Sequence, residues 1–216
     1  MHQIEELNSK VKNHETQSHM SPKMAKDLLI EGNKRFTEQD MIERDHDWHI
    51  HETKDSQHPF AIVLGCMDSR VQPSLIFDQG IGDLFITRVA GNIINRDILG
   101  SLEYACSIAG SRLILVLGHT ACGAVKGAID NVKLGNLTST LKPIRQLIPT
   151  VEFIEGELRT SENFDFIDKV SMANINHSVE EIKKRSPVLK ELYDRKEIDI
   201  VGAIYDHKSG MVTFCT

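Results

Sequence analysis

The stretch FAIVLGCMDSR, residues 60–70, joins an unbroken apolar run to a cysteine, an aspartate and an arginine. An apolar run of this length is typical of a β-strand that is buried on both faces. A second such run, RLILVLG at residues 112–118, leads into the sequence HTAC. Because ligands gather at the carboxyl ends of strands in parallel sheets, the two runs predict a functional site where both strands end.

The other segments alternate between strand and helix patterns. Strands are also predicted at 83–89, 198–205 and 211–215, and helices at 21–39, 97–109, 123–131, 138–148 and 161–184. This alternation predicts a single-domain α/β fold, with a central, mostly parallel sheet of four to five strands flanked by helices. We expect residues 1–20 to form a polar N-terminal arm, either loose or a solvated helix. Residues 21–216 then form the domain, with a polar connector at 40–58.

The composition is that of an ordinary globular protein. Of 216 residues, 40% are hydrophobic and 26% are charged, which excludes a fibre or a largely disordered chain. The net charge of −6 disfavours general binding to nucleic acid or to an anionic membrane. No apolar run has the length of a membrane span, and residues 1–20 lack the apolar core of a signal peptide, so a cytoplasmic location is expected.

Three side chains at the two predicted strand ends fit a zinc site. Cys66 follows the first buried strand, and His119 and Cys122 follow the second, three positions apart. Zn²⁺ prefers thiolate sulfur and imidazole nitrogen in a tetrahedral shell. A set of two cysteines and one histidine leaves the fourth coordination position open, as is typical of a catalytic zinc ion. We therefore predict one catalytic zinc ion per chain.

Asp68 and Arg70 follow Cys66 closely and complete the predicted chemistry. Two thiolates and a neutral imidazole cancel the charge of Zn²⁺, so such a site acidifies bound water less than a site made of histidines alone. A carboxylate that accepts a hydrogen bond from this water would compensate for the weaker acidification. A bidentate pair with Arg70 would hold Asp68 in that role, whereas an unrestrained Asp68 could become the fourth zinc ligand and close the site.

The remaining cysteines and several histidines carry weaker signals. Cys106 lies in a predicted helix and Cys215 near the end of the sequence, and both are interpreted as packed or inert thiols. His46, His49 and His51 could bind a metal ion, but we interpret them as solvated side chains of the connector.

Three motifs in this order resemble the β-class carbonic anhydrases. They are CMDSRV at 66–71, GDLFITRVAGN at 82–92 and GHTACG at 118–123, and GAIYD at 202–206 is similar to the family's last long strand. The resemblance implies reversible hydration of CO2 to bicarbonate and a proton by a zinc-bound hydroxide. It also implies that Cys66, His119 and Cys122 bind the zinc ion, and that Asp68 and Arg70 form the catalytic dyad.

The same resemblance implies a substrate pocket and an oligomer. The residues that match substrate-contacting or pocket-lining positions are Gln57, Phe85, Ala90, Tyr104 and, through its backbone N–H, Gly123. Because the family's active site lies at a subunit interface, we expect a homodimer or a dimer of dimers. The apolar stripe of the helix at 21–39 is expected to pack on the partner subunit, with packing on its own subunit as the alternative.

The family includes enzymes whose zinc site stays open and enzymes that close it with the aspartate and bind bicarbonate at a noncatalytic site. The second kind is similar to this sequence at Arg88 and Tyr205, but it has tryptophan where this chain has Val63. Gln57 fits the open kind. The resemblance therefore predicts an open site without inhibition by bicarbonate.

Two other functions remain compatible with the sequence. Carbonyl sulfide and carbon disulfide hydrolases resemble this family and use the same zinc ligands, so the motifs leave the substrate open. The second alternative is a zinc module without turnover. The predicted open coordination position and the presence of both Asp68 and Arg70 disfavour that alternative.

Overall fold

A five-stranded sheet forms the centre of the protein in the computed structural model, which describes residues 10–152 and 154–215. The strands are β1 (Ala61–Gly65), β2 (Leu84–Arg88), β3 (Leu113–His119), β4 (Asp199–Tyr205) and β5 (Val212–Cys215). Their order across the sheet is β2-β1-β3-β4-β5. Strands β1 to β4 are parallel, and β5 is antiparallel to β4. The predicted α/β fold with a mostly parallel sheet is confirmed.

Ten α-helices flank the sheet in the described part of the chain. They are α1 (His14–Ser18), α2 (Pro22–Glu38), α3 (His46–Thr53), α4 (Pro73–Ile76), α5 (Arg96–Glu103), α6 (Gly123–Ile129), α7 (Leu137–Thr140), α8 (Lys142–Leu147), α9 (Phe164–Arg185) and α10 (Pro187–Asp194). A π-helical turn, Tyr104–Ile108, extends α5, and 3-10 turns lie at Ala90–Asn92 and Ile148–Thr150. None of the helices in this part of the chain is both long and apolar enough to cross a membrane.

The two apolar runs of the sequence form interior strands. Strand β1 lies between β2 and β3, and β3 lies between β1 and β4. Every residue of both strands is buried, as the sequence predicts. The register pairs Gly65 with Leu117, so the residues that follow β1 lie beside the end of β3.

Helix α2 covers one face of the sheet. The Ser21 hydroxyl accepts a hydrogen bond from the Met24 N–H at 3.2 Å, and Pro22 occupies the first turn, so the predicted helix start is confirmed. Leu28 and Leu29 are fully buried in the core that this helix forms with the sheet. The apolar stripe that we expected on a partner subunit is therefore covered within its own chain.

Helix α9 packs on the opposite face of the sheet, at a close approach that two glycines permit. A Cβ atom at Gly118 of β3 would lie 2.6 Å from Ile175 Cδ1, and one at Gly202 of β4 would lie 2.4 Å from Ile175 Cγ2. Real Cβ atoms do not come this close to other carbon atoms, since the contact would be strongly repulsive. Ile175 is fully buried between the helix and these strands.

The segment before α2 differs from the polar arm that we expected. Lys12 and Asp83 form an ion pair of 3.2 Å in which both side chains are 1% exposed. Gln17 is also buried and donates to the carbonyl oxygens of Pro59, at 2.9 Å, and Ala109, at 2.7 Å. Residues 10–18 are therefore part of the folded domain, whereas residues 1–9 of the predicted arm lie outside the described residues.

The predicted connector at 40–58 contains helix α3. Asp45 caps this helix by accepting a hydrogen bond from the Trp48 N–H at 2.9 Å. The interpretation of His49 as a solvated side chain is wrong: it is 2% exposed and packs against Gly80. His46 and His51 are exposed, as expected. The structure thus separates the buried His49 from the two exposed histidines, which the polar composition of the segment did not indicate.

Candidate metal centre

Three buried side chains meet where β1 and β3 end. Cys66 directly follows β1, His119 is the last residue of β3, and Cys122 lies one turn further on. The two sulfur atoms are 4.0 Å apart, and one ligand atom from each of the three side chains lies within 4.8 Å of the others. The structure thus brings together the three residues that the sequence predicts as zinc ligands.

The turn between His119 and Cys122 is held in an unusual backbone conformation. Ala121 has a φ of 55°, in the left-handed region. Its N–H donates to Asp168 Oδ1 of α9 at 2.9 Å, and this hydrogen bond supports the conformation. Cys122 then occupies the position directly before α6. Sequence reasoning missed Asp168, because only the packing of α9 on the sheet brings that distant residue to the turn.

Mutual contact and burial set the ionisation of the two thiols. A hydrogen bond from Cys122 lowers the pKa of Cys66 to about 4, against the opposing effect of burial. The same contact, together with burial, raises the pKa of Cys122. The Gly91 N–H also donates to Cys66 Sγ at 3.3 Å. The contact thus favours a thiolate at Cys66 over one at Cys122, and a coordinated divalent cation would ionise both thiols.

One ring nitrogen of His119 has close polar partners in the described part of the chain, and the other has no hydrogen-bond partner there. Nδ1 lies 3.0 Å from the Thr120 carbonyl oxygen and 2.9 Å from His207 Nε2. Nε2 is buried and has no hydrogen-bond partner within residues 10–152 and 154–215. An imidazole nitrogen left unpartnered beside two thiols fits the donor set that zinc prefers. The residues of this site therefore fit a zinc ion.

Arg70 fixes the carboxylate of Asp68 next to the metal-ligand set. The Arg70 side chain donates from Nε to Oδ1 at 3.0 Å and from Nη2 to Oδ2 at 2.8 Å. These hydrogen bonds hold the pKa of Asp68 well below its usual range. Asp68 Oδ2 lies 3.9 Å from His119 Nε2, so the carboxylate stands beside the ligand set. The bidentate pair that the sequence suggested is present.

Arg88, the last residue of β2, braces the loop that carries Asp68. Its guanidinium donates to the carbonyl oxygen of Cys66 at 2.9 Å and to the carbonyl oxygen of Asp68. In the sequence, Arg88 stands out only as a match to the enzymes that bicarbonate regulates. Its bracing contacts depend on the pairing of β1 with β2, which no local motif reveals.

Two of the predicted pocket residues adjoin the metal ligands. Ala90 precedes Gly91, whose N–H contacts Cys66, and Gly123 directly follows Cys122. Both residues therefore lie next to the candidate metal ligands of the same chain.

The other three predicted pocket residues lie at the far end of the strands. Gln57 is exposed ahead of the amino end of β1, and Phe85 lies near the amino end of β2. The Tyr104 ring is 6.2 Å from that of Phe85. Because a strand of five residues such as β1 spans about 16 Å, these side chains do not reach the metal site of their own chain.

The fold and the site together define an α/β protein with a buried set of two cysteines and one histidine at the strand ends, and comparison with known proteins gives the family. A family model described as "Carbonic anhydrase" matches residues 61–212, a span that contains the ligand set, Asp68 and Arg70. The chain belongs to the β-class carbonic anhydrases.

Individual relatives agree with this assignment. Carbonic anhydrase 2 of Mycobacterium tuberculosis is 34% identical over 156 residues, which cover 71% of this chain and 73% of that protein. The carbonic anhydrase of Mycolicibacterium smegmatis is 34% identical over 159 residues, covering 73% and 75%. The crystal structure of the β-carbonic anhydrase CafA of Aspergillus fumigatus is similar with a TM-score of 0.70 at 25% identity, covering 79% of this chain and 81% of that chain. The protein is accordingly a carbonic anhydrase, which is a lyase.

Proposed function

We propose that this protein catalyses the zinc-dependent, reversible hydration of CO2 to bicarbonate and a proton, with Cys66, His119 and Cys122 as zinc ligands. The observation that carries the proposal is the convergence of these three buried side chains, with their ligand atoms within 4.8 Å of one another. His119 Nε2 lacks a hydrogen-bond partner in the described chain, as a ligand atom would before it binds its ion.

The side chains around the ligand set support this reaction. When bound, Zn²⁺ would act as a Lewis acid that lowers the pKa of a water molecule. Asp68 is ionised and fixed by Arg70, so its carboxylate can accept a hydrogen bond from water in the site and orient it. The backbone N–H of Gly123 is the proposed donor to a substrate oxygen.

We propose further that the site stays open. Arg70 holds both oxygen atoms of Asp68, and Arg88 fixes the backbone on either side, so the carboxylate is restrained from moving onto the metal. Val63, at the position of the tryptophan in the bicarbonate-regulated kind, is fully buried within β1.

A crystal structure of the zinc-loaded protein tests the open site. Above about pH 8, where metal-bound water is largely ionised, we expect Asp68 to remain paired with Arg70 and a solvent or buffer molecule to occupy the fourth position. Asp68 bonded to the metal at that pH would contradict the open site.

We also propose that the complete active site forms between two subunits. Gln57, Phe85 and Tyr104 lie too far from the metal ligands of their own chain to line the same pocket. A partner subunit could supply them in a homodimer, or in a dimer of dimers. Tyr104 is 52% exposed and Ile108, one helical turn later, is 75% exposed, so an apolar surface is available for such a contact.

We propose that the reaction is hydration of CO2 rather than hydrolysis of carbonyl sulfide or carbon disulfide. The matching family and the relatives described above are carbonic anhydrases, and this supports CO2 as the substrate. A CO2 hydration assay run beside an assay for sulfide release separates the two reactions. We expect turnover in the first assay and none above background in the second.

Metal analysis combined with stopped-flow CO2 hydration tests the proposed function. We expect one zinc ion per wild-type chain, and loss of both zinc and activity in the Cys122→Ala variant. Cys106→Ala is the matched control, because Cys106 is also buried but lies outside the ligand set. It should retain zinc and activity. A wild-type protein without zinc, or an active Cys122→Ala variant, would contradict the proposal.

A further inference from the structure

His207 lies in the turn between β4 and β5, outside the motifs that carry the family resemblance. The β3–β4 register pairs His119 with Tyr205, which brings this turn beside the end of β3. The rings of His207 and His119 have centroids 4.9 Å apart, and His207 Nε2 lies 2.9 Å from His119 Nδ1. His207 therefore contacts a predicted metal ligand directly.

The hydrogen-bond partners of His119 Nδ1 fix where its proton lies. The Thr120 carbonyl oxygen, 3.0 Å away, can only accept a hydrogen bond, so Nδ1 must carry the proton in that contact. His207 Nε2 then faces an N–H group and serves as a second acceptor. This tautomer leaves the lone pair of His119 on Nε2, the atom that has no partner in the described chain.

The turn holds the His207 ring in place from two sides. The His207 N–H donates to Thr120 Oγ1 at 3.1 Å, and that hydroxyl in turn donates to Asp206 Oδ1 at 3.4 Å. The ring of Tyr205 lies edge-on to the His207 ring, with centroids 5.3 Å apart. The acceptor is thus held by contacts that do not involve the metal ligands.

From these contacts we propose that His207 is a positioning residue for the metal centre: its Nε2 accepts a hydrogen bond from His119 Nδ1 and so fixes the tautomer and the ring orientation of that ligand. The proposal rests on the proposed zinc site. Groups that hydrogen-bond to the outer nitrogen of a metal-bound histidine orient the ring and increase its basicity.

The geometry favours this role over direct metal binding by His207. One ligand atom each from Asp68, His119 and His207 also lies within 4.8 Å of the others. The lone pair of His207 Nε2, however, is engaged by the N–H group of His119 Nδ1, at 2.9 Å. It is therefore not available to a second metal ion.

Zinc affinity measured by chelator competition tests the proposal in three variants of the full chain. His207→Ala removes the acceptor and is expected to weaken zinc binding about tenfold. His207→Gln retains an acceptor atom near the position of Nε2 and should bind zinc nearly as tightly as the wild type. Lys208→Ala, an exposed side chain in the same turn, is the control and should behave as the wild type.

A spectroscopic measurement separates positioning from packing. In two-bond ¹H–¹⁵N NMR spectra of the zinc-loaded protein, we expect His119 to carry its proton on Nδ1. That proton should exchange with water faster in His207→Ala than in the wild type or in His207→Gln.

The possible outcomes distinguish a failure of the proposed role of His207 from a failure of the proposed zinc-dependent function. Unchanged zinc affinity in His207→Ala would overturn the role of His207 and leave the zinc site intact. Weaker binding without faster exchange, or without recovery in His207→Gln, would also overturn it, since the side chain would then act only by packing. A wild-type protein that binds no zinc would instead contradict the proposed function itself.

Discussion

At the residue scale, the proposed catalytic role of Asp68 depends on the hydrogen bonds that keep its carboxylate ionised. Arg70 donates to both carboxylate oxygens, and these contacts keep the pKa of Asp68 far below its usual range. A carboxylate with a lowered pKa stays ionised as the pH falls through the range in which an ordinary aspartate takes up a proton. Its acceptor function should therefore persist in mildly acidic solution.

We predict that Asp68→Asn lowers kcat for CO2 hydration about 100-fold while zinc content stays at the wild-type level. The amide retains the shape of the side chain but removes the charge that Arg70 holds. Because Asp68 is ionised throughout, the ratio of wild-type to variant activity should be constant from about pH 9 down to about pH 6.

The control for this variant is Asp194→Asn, an exposed position in α10 that should leave activity unchanged. Stopped-flow assays and metal analysis provide the measurements. Wild-type activity in Asp68→Asn would remove the dyad from the mechanism, and loss of zinc would mean that Asp68 acts on metal binding instead.

The sequence predicted the residues whose side-chain types and spacing are typical of a metal site or an ion pair. It did not predict the residues that reach the site only through contacts in the folded structure. Cysteine and histidine at strand ends indicated a metal site, and an aspartate two residues from an arginine indicated an ion pair. Asp168 and His207 carry no such signal. Each reaches the site only because a distant element packs beside it, so their roles required the tertiary structure.

At the element scale, the approach of α9 to the sheet depends on the absence of side chains at Gly118 and Gly202. Ile175 fills the space over both glycines. The same helix carries Asp168, which contacts the turn between His119 and Cys122. Its distance from the sheet therefore affects both the core and the metal centre.

We predict that Gly202→Ala lowers the free energy of unfolding by about 1–3 kcal/mol, because the added methyl group overlaps Ile175 and forces the helix or strand to shift. Chemical denaturation measures this change. Gly100→Ala is the matched control, since among the described residues no atom beyond its chain neighbours and its own helix backbone lies within 4 Å of a Cβ at that position. It should be neutral or stabilising by up to about 1 kcal/mol. Equal stability of the two variants would contradict the close packing of α9.

Long, strongly patterned elements were predictable, and short ones were not. The apolar composition of the two buried runs predicted β1 and β3. Ser21-Pro22 predicted the start of α2. Helix α4 has only four residues and α3 has little apolar periodicity, so tertiary contacts determine both. The burial of His49 follows from the position of α3 against Gly80, and a polar sequence gives no sign of it.

At the scale of the whole molecule, the separation between the proposed metal ligands and the other proposed pocket residues supports the proposal that a partner subunit completes the active site. Phe85 and Tyr104 contact each other at the amino ends of the strands, and the metal ligands lie at the carboxyl ends. Activity should therefore depend on assembly.

We predict that Ile108→Asp shifts the protein toward the monomer in light scattering and lowers CO2 hydration about tenfold or more, since a charge would be placed in the apolar contact. Leu134→Asp is the matched control, because Leu134 is also largely exposed, at 67%, but lies in the loop after α6. It should leave both properties unchanged. A monomeric Ile108→Asp variant with full activity would contradict the shared site.

The contacts of Lys12 and Gln17 have a consequence for where the folding unit begins. Trimming the chain to Ser21, the start of the domain suggested by the sequence, would leave the buried carboxylate of Asp83 without its ion-pair partner and the Ala109 carbonyl oxygen without the donor from Gln17. The Pro59 carbonyl oxygen would keep only the hydrogen bond from the Ser111 hydroxyl. An unsatisfied buried polar group destabilises a protein by about 1–3 kcal/mol, and more when it is charged. The residues before α2 thus complete the ion pairing and hydrogen bonding of buried groups at the amino-terminal edge of the sheet.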